Sequence, residues 1–496
     1  RRQRQMCIRD SIKILILNIF RIVSLEEISI MLTYSFTNLG SDSLYEHLYK
    51  CIKNDILQEV LHPGDKLPSK RSFAKNLGIS VITVENAYAQ LIAEGYVYSI
   101  PKKGFFVADI DQSPSKREPV LSAENMHLSS GKSYYLADFT SNQTQHNLFP
   151  FSIWAKLMRE LLNEKQSELL TNPPCGGILP LREAIAKYLK DFRGMVVSPE
   201  QIVVGAGTEY LYGLLIQLLG FDKHYAVENP GYRKISQIYK SHKVSCHYAS
   251  LDKTGIQIND LEAQEIDIVH LSPSHHFPTG IVTPISRRYE LLGWASKSDT
   301  RYIIEDDYDS EFRLTGQPIP TLQSIDVLEK VIYMNTFTKT LASTIRISYM
   351  VLPKHLVNRF YSTMSFYSCT VPNFEQYTLA RFISEGYFEK HLNRMRNYYH
   401  KKRDCFLQQI TKSPLANRCS ISEEDAGLHF LLTLNTNIED ATLQKKLEQN
   451  GIKMSFLSQY FVNPPKSAEH VFVVNYSSLS EEVFAQAIQL IYEALS

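Results

Sequence analysis

A lysine follows an apolar run in the segment Asn335-Thr336-Phe337-Thr338-Lys339-Thr340, and Arg346 stands seven residues past it. Taken singly, a lysine is ordinarily a solvated surface residue. Two other segments change its reading. Glu305-Asp306-Asp307-Tyr308-Asp309-Ser310-Glu311-Phe312 sets acids where a strand should end, and alone would suit a metal or open solvent equally well. Gly205-Ala206-Gly207-Thr208-Glu209 places small residues at a helix start, where free backbone N–H groups favour a phosphate. Together the segments offer an amine for a Schiff base, a carboxylate to keep a ring nitrogen protonated, and donors around a phosphate. Those are the needs of pyridoxal 5'-phosphate. The amine must be desolvated or crowded by cations so that its neutral form can attack. No metal site is expected.

These residues must be positioned by alternating elements. Strands are expected over Gln201–Gly205, His224–Glu228, Ile266–Leu271, Arg301–Asp306, Lys330–Thr336 and Ile347–Leu352. Helical periodicity lies between most of them, as in Glu209–Leu219 and Ser286–Ser298. The alternation argues for an α/β domain with a largely parallel or mixed sheet, whose ligands sit at the C-terminal strand ends. The amphipathic stretch around Phe374–Phe406 is read as core and scaffold.

Residues 137–496 resemble fold-type I aminotransferases, most closely the aminotransferase-like domain of MocR/GabR-type regulators. The resemblance rests on Glu228-Asn229-Pro230-Gly231-Tyr232, on Tyr302–Phe312, on Gln317-Pro318-Ile319-Pro320-Thr321-Leu322-Gln323, and on Thr336-Phe337-Thr338-Lys339 through Arg346. It implies a large mixed-sheet α/β subdomain and a small C-terminal α+β subdomain. It also implies that Lys339 forms the internal aldimine, Asp306 pairs with the pyridine nitrogen, Tyr308 bonds the ring hydroxyl oxygen and Tyr232 stacks on the ring. Ala206, Gly207, Thr336, Thr338 and Arg346 would surround the phosphate.

Three departures from that family's enzymes stand out. His275-His276-Phe277-Pro278-Thr279-Gly280 puts Phe277 where an asparagine normally bonds the ring oxygen, leaving His276 as a possible ligand contact. The strand Val471–Tyr476 has Val473 where an arginine usually clamps the substrate carboxylate. Lys234, beside Arg233, stands where GabR-like proteins carry a carboxylate-binding arginine. A point charge in place of a planar fork should weaken carboxylate recognition. Reduced turnover would suit a sensor, which needs only differential affinity between two states.

The N-terminal part has a different character. Leu44, Leu48, Ile52, Ile56 and Leu57 recur at helical spacing; a short helix then ends at Gly78, another follows Ser80, and Tyr96–Val107 reads as a hairpin. Two helices about a tight glycine turn form a helix-turn-helix. Lys66, Lys70, Arg71 and Lys75 share a stretch without acids, and Lys102 and Lys103 mark the hairpin tip. Such charges neutralise phosphates, and a helix start at Ser69 adds backbone donors. Residues 41–108 resemble the winged helix-turn-helix of GntR-type bacterial regulators. The resemblance implies that the helix beginning near Ser80, with Thr83, enters the major groove. Many members carry arginine where Val81 stands, so base contacts do not transfer.

At 496 residues the chain exceeds one ordinary domain, and its 44% apolar and 21% charged content excludes wholesale disorder. A net charge of +1 leaves any nucleic-acid site local. Seven cysteines without a C-x-x-C pair fit a reducing cytosol, and no run of about 18 apolar residues announces a membrane span. Residues 1–40 read as a leader: Glu26-Glu27 is what a ribosome-binding site would encode if read in frame, so Met31 is the expected start. Residues 109–136 are a polar linker. The expectation is a cytoplasmic, homodimeric transcription regulator that binds double-stranded operator DNA and senses a small amine or amino acid by external aldimine formation. The alternatives are a working aminotransferase with an accessory DNA-binding domain, and a DNA-binding protein whose large domain only dimerises.

Overall fold

The computed structural model describes residues 32–36, 42–110, 135–141, 144–314, 319–425 and 427–495. The expected start at Met31, residues 1–30, most of the linker, and Gln317-Pro318 lie outside them. The chain divides into two compact units between Ser130 and Gly131.

In the first unit, helix Leu44–Leu57 opens with the Ser43 backbone N–H donating to the Glu46 carboxylate at 2.9 Å, half of a capping box. Its Leu48, Ile52 and Ile56 are buried on one face. Helix Lys70–Leu77 is capped by Ser69 Oγ, which accepts from the Ser72 N–H at 3.2 Å. It ends at Gly78, whose φ of +68° turns the chain directly into helix Val81–Ala93. The expected hairpin is Val97–Ile100 paired with Gly104–Val107. Lys66–Leu67 adds a third strand, too short to show any period in the sequence. Phe73, Tyr88, Leu91 and Val107 close the shared core.

The second unit is built on an eight-stranded mixed sheet. Its order is Ile202–Ala206, Ile347–Val351, Val331–Thr336, Tyr302–Asp307, Ile268–Leu271, His224–Asn229, Ser245–Asp252 and Gly255–Ile256. The five strands from Val331–Thr336 to Ser245–Asp252 are parallel, and Ile347–Val351 runs antiparallel to both neighbours. Val331–Thr336 and Ile268–Leu271 are buried at every position, which is why they read as largely apolar runs. Ser245–Asp252 carries mostly half-buried polar residues and escaped the sequence reading. Successive side chains serve opposite faces: Ile304 packs with Leu211 and Leu215, whereas Ile303 packs with Leu291 and Trp294.

A smaller antiparallel sheet orders Cys419–Ser422, His429–Leu434, Val471–Asn475 and Ser455–Phe456. Phe406 from helix Tyr387–Lys412 stacks on Phe484 at 3.9 Å between centroids, in a core shared with Phe472. The amphipathic stretch around Phe374–Phe406 proves to be two helices, Asn373–Ser384 and Tyr387–Lys412, parted at Glu385-Gly386. Glycine's poor helix propensity accounts for the break. No helix among the described residues is long and apolar enough to cross a membrane.

Candidate functional site

The C-terminal ends of the parallel strands open onto a cavity of about 390 Å³. Lys339 reaches it from the turn after Val331–Thr336 and is only 7% exposed. The turn is tied to helix Tyr387–Lys412 by His391 Nε2, 2.7 Å from the Thr340 carbonyl oxygen. Burial pulls the Lys339 ammonium down to about 8, against the pull of the Asp309 carboxylate. At neutral pH, therefore, a usable fraction of this amine is unprotonated.

Asp306 enters from the end of Tyr302–Asp307. Its Oδ2 accepts from the Tyr212 hydroxyl at 2.6 Å and lies 3.3 Å from His270 Nε2. His270 Nδ1 in turn lies 2.9 Å from the Tyr239 hydroxyl. The other oxygen, Oδ1, is buried with no hydrogen-bond partner among the described residues. An unmet buried carboxylate oxygen is costly, and here it belongs to a residue lining the cavity. A cationic N–H on a ligand would satisfy it.

An anion cradle lies beside it. Gly207, with φ +92°, caps helix Thr208–Leu219, and a Cβ there would fall 2.6 Å from Arg346 Nη2. Only glycine permits that approach. Arg346 itself holds φ +53°, a conformation few side-chain-bearing residues adopt. Thr336 Oγ1 lies 2.7 Å from Thr338 Oγ1 and accepts from Ser348 Oγ at 2.9 Å. Glu209 closes the cradle by pairing with both Arg346, at 3.2 Å, and Lys234. Those cations hold its carboxyl below the usual range.

The remaining wall is aromatic and apolar. Tyr232 and Phe277 line the cavity with their rings at 85° and 6.0 Å apart. Phe277 also meets His429 and Tyr460 edge-on, at 5.2 and 5.3 Å. The hydroxyl of the half-buried Tyr308 is 3.3 Å from His275 Nδ1, which lies 2.9 Å from Asp309 Oδ2. Burial pushes the Glu228 carboxyl up to about 8, opposed by a 3.0 Å hydrogen bond from the Ser272 N–H.

The structure brings Lys339, Asp306, Tyr308, Tyr232, Gly207, Thr336, Thr338, Arg346 and Lys234 to one cavity. It does not bring three others to the wall. The Ala206 N–H donates to Thr370 Oγ1, Arg233 reaches the Phe461 carbonyl oxygen at 3.5 Å, and His276 is buried 3.5 Å from Glu228. Burial holds the His276 imidazolium down to about 3, so this ring stays neutral. Sequence reasoning missed Tyr212, His270, Glu209 and Glu228. The signals were a tyrosine one turn into the helix after Thr208, and a histidine and a glutamate inside otherwise apolar strands.

In the first unit, Lys66, Ser69, Arg71, Lys102 and Lys103 are exposed. Lys70 is partly spent on Glu85, at 2.7 Å. Ser80 Oγ caps its helix by accepting from the Thr83 N–H at 3.1 Å, with the two hydroxyls 2.8 Å apart. Val81 and Ile82, at the start of that helix, are exposed.

Comparison with known proteins matches residues 136–491 to the aminotransferase class I and II family, and residues 44–107 to bacterial regulatory proteins of the gntR family. An uncharacterized HTH-type transcriptional regulator of Bacillus subtilis, YdeL, is 38% identical over 423 residues, covering 85% of this chain and 91% of that protein. The probable rhizopine catabolism regulatory protein MocR of Rhizobium meliloti is 30% identical over 465 residues, covering 91% and 93%. Among solved structures, Pyrococcus horikoshii kynurenine aminotransferase superposes with a TM-score of 0.63 at 22% identity, over 78% of this chain and 96% of its own. That likeness is one of fold.

Proposed function

The chain belongs to the aminotransferase class I and II family, joined to a gntR-family module as in the HTH-type transcriptional regulators it matches, and from that premise we propose that it senses a small amine or amino acid on pyridoxal phosphate held at Lys339. It is a transcription regulator, and the aminotransferase fold implies the cofactor. The observation that carries the reading is that a buried amine, Lys339, and a buried carboxylate with one unmet oxygen, Asp306, line one cavity. The glycine-permitted approach of Gly207 to Arg346 supplies a cradle for the phosphate.

When bound, pyridoxal phosphate supplies an aldehyde carbon that the lysine or a ligand amine can occupy in turn, and a ring that withdraws electrons from it. The chain's own residues do the rest. Asp306, oriented by Tyr212 and His270, would accept the ring N–H. Arg346, Thr336, Thr338 and the N–H groups at the start of Thr208–Leu219 would hold the phosphate, and Tyr232 would pack against the ring. Tyr308 offers its hydroxyl near the ring oxygen. Lys339, desolvated, would present its amine to the cofactor's carbonyl carbon. Exposed cations of the first unit neutralise operator phosphates. In this reading the protein is a cytoplasmic homodimer whose ligand-dependent states differ in DNA affinity.

The loss of the asparagine and arginine normally found at Phe277 and Val473 favours sensing over turnover. The full chain supplied with pyridoxal phosphate is expected to show a visible absorption band, and borohydride to fix the cofactor to Lys339. Lys339→Ala should abolish both. A chain that stays colourless overturns the reading. A band that shifts with an amine while no keto acid is released supports the sensor, whereas release abolished by Lys339→Ala supports the enzyme.

A further inference from the structure

Three cations reach the cavity among the described residues: Lys339, Arg346 and Lys234. In the function proposed above, on which this inference rests, Lys339 serves the cofactor's carbonyl carbon and Arg346 its phosphate. Lys234 is ion-paired with Glu209. Arg233 lies in an adjoining groove and points to the Phe461 carbonyl oxygen. Glu209 is shared by Lys234 and Arg346, so among the described residues Lys234 is the one cavity cation without a cofactor role, and it already has a carboxylate partner.

Among the described residues, the rest of the wall adds no lysine or arginine, and beside polar groups of Thr208, Glu228, Ser272 and Ser343 it has an apolar side. Val227, Ile235 and Ile238 line the cavity beside Tyr232 and Phe277. Behind Phe277 lies a further apolar cluster of Leu431, Leu457, Val471 and Val473. Val473 pairs with Leu431 across the antiparallel strands and is 3% exposed. The nearby imidazole of His429 is fully buried and kept neutral by that burial, with its Nε2 at the Pro278 carbonyl oxygen, 3.2 Å away. A carboxylate placed against this wall would shed its water and gain no charged donor. An unpaired charge in such a setting is strongly disfavoured.

We propose that the cavity selects an apolar primary amine that carries no carboxylate, rather than an amino acid. The amine nitrogen would be its one polar group, directed to the Lys339 end, with its hydrocarbon part against Phe277, Tyr232 and the isoleucines of helix Arg233–Ser241.

The test compares ligands that differ only by the carboxylate. Full-length protein loaded with pyridoxal phosphate is titrated with 3-methylbutylamine against leucine, and with 2-phenylethylamine against phenylalanine, reading the visible band. Half-maximal response is expected at concentrations about 100-fold lower for each amine. Equal or tighter response to the amino acids overturns the inference and leaves the cofactor reading standing, since the band still responds. The absence of any band overturns both. Val473→Arg, where it folds, should narrow the gap by improving leucine selectively. The wild-type comparison decides the matter if that variant does not fold.

Discussion

The two units of this protein put their working residues in opposite environments. In the first, Lys66, Arg71, Lys102 and Lys103 stand in solvent on short elements whose core is apolar. In the second, Lys339 and Asp306 are buried and Tyr308 half-buried at or just after strand ends, with hydrogen-bond partners for Asp306 and Tyr308 drawn from several elements. The contrast reflects the ligands. A nucleic-acid backbone is met by charges that keep their water until contact and lose affinity with salt. A covalent cofactor needs an amine stripped of water and a carboxylate kept from wandering. Damage should therefore travel differently in the two units.

The largest expected effect tests the buried side. Asp306→Ala should weaken pyridoxal phosphate retention by about 100-fold, measured by equilibrium dialysis, by removing a desolvated charge-assisted hydrogen bond. Operator binding by the unliganded chain should change little. Equal loss of both would break the contrast.

Next is pH. Burial lowers Lys339 to about 8, so its neutral, reactive fraction rises with pH up to that value and levels off above it. Cofactor uptake by the apoprotein, followed in the visible, should quicken about tenfold per unit below pH 8 and plateau above. A rate that keeps climbing to pH 10 would mean that the Lys339 amine is solvated rather than buried.

On the exposed side, replacing Lys102 and Lys103 by alanine should lower the salt slope of DNA binding by about 1 per lysine and leave the visible band untouched. Lys70→Ala should cost less, because Lys70 is already paired with Glu85 at 2.7 Å. The smallest effect is Ser80→Ala. Losing the 3.1 Å cap to the Thr83 N–H should destabilise the first unit by about 1 kcal/mol, seen as faster amide exchange in helix Val81–Ala93.

Much of the fold was legible in advance for a physical reason. Strands such as Val331–Thr336 are buried on both faces and so read as largely apolar runs, and Gly78 marks a turn that needs positive φ. Lys66–Leu67 and Ser245–Asp252 were not legible: the first is too short for a period, and the second carries too little apolar contrast. The division of one amphipathic stretch at Glu385-Gly386 shows the same limit, since helical periodicity continues across a single break.

For the site, residue types and local spacing pointed to the segments that hold Lys339, Asp306, Gly207 and Arg346, because an amine, a carboxylate and a phosphate cradle each need particular chemistry at a strand end or helix start; the family resemblance then assigned a role to each residue. The family and fold expected from them are borne out by the comparisons. What tertiary structure alone decided is which groups are already engaged. Tyr212 lies 94 residues from the Asp306 it holds, Glu209 claims both Arg346 and Lys234, and Phe277 seals an apolar wall with Tyr460. Such pairings follow from distances in space between residues far apart along the chain, and sequence spacing carries no measure of those.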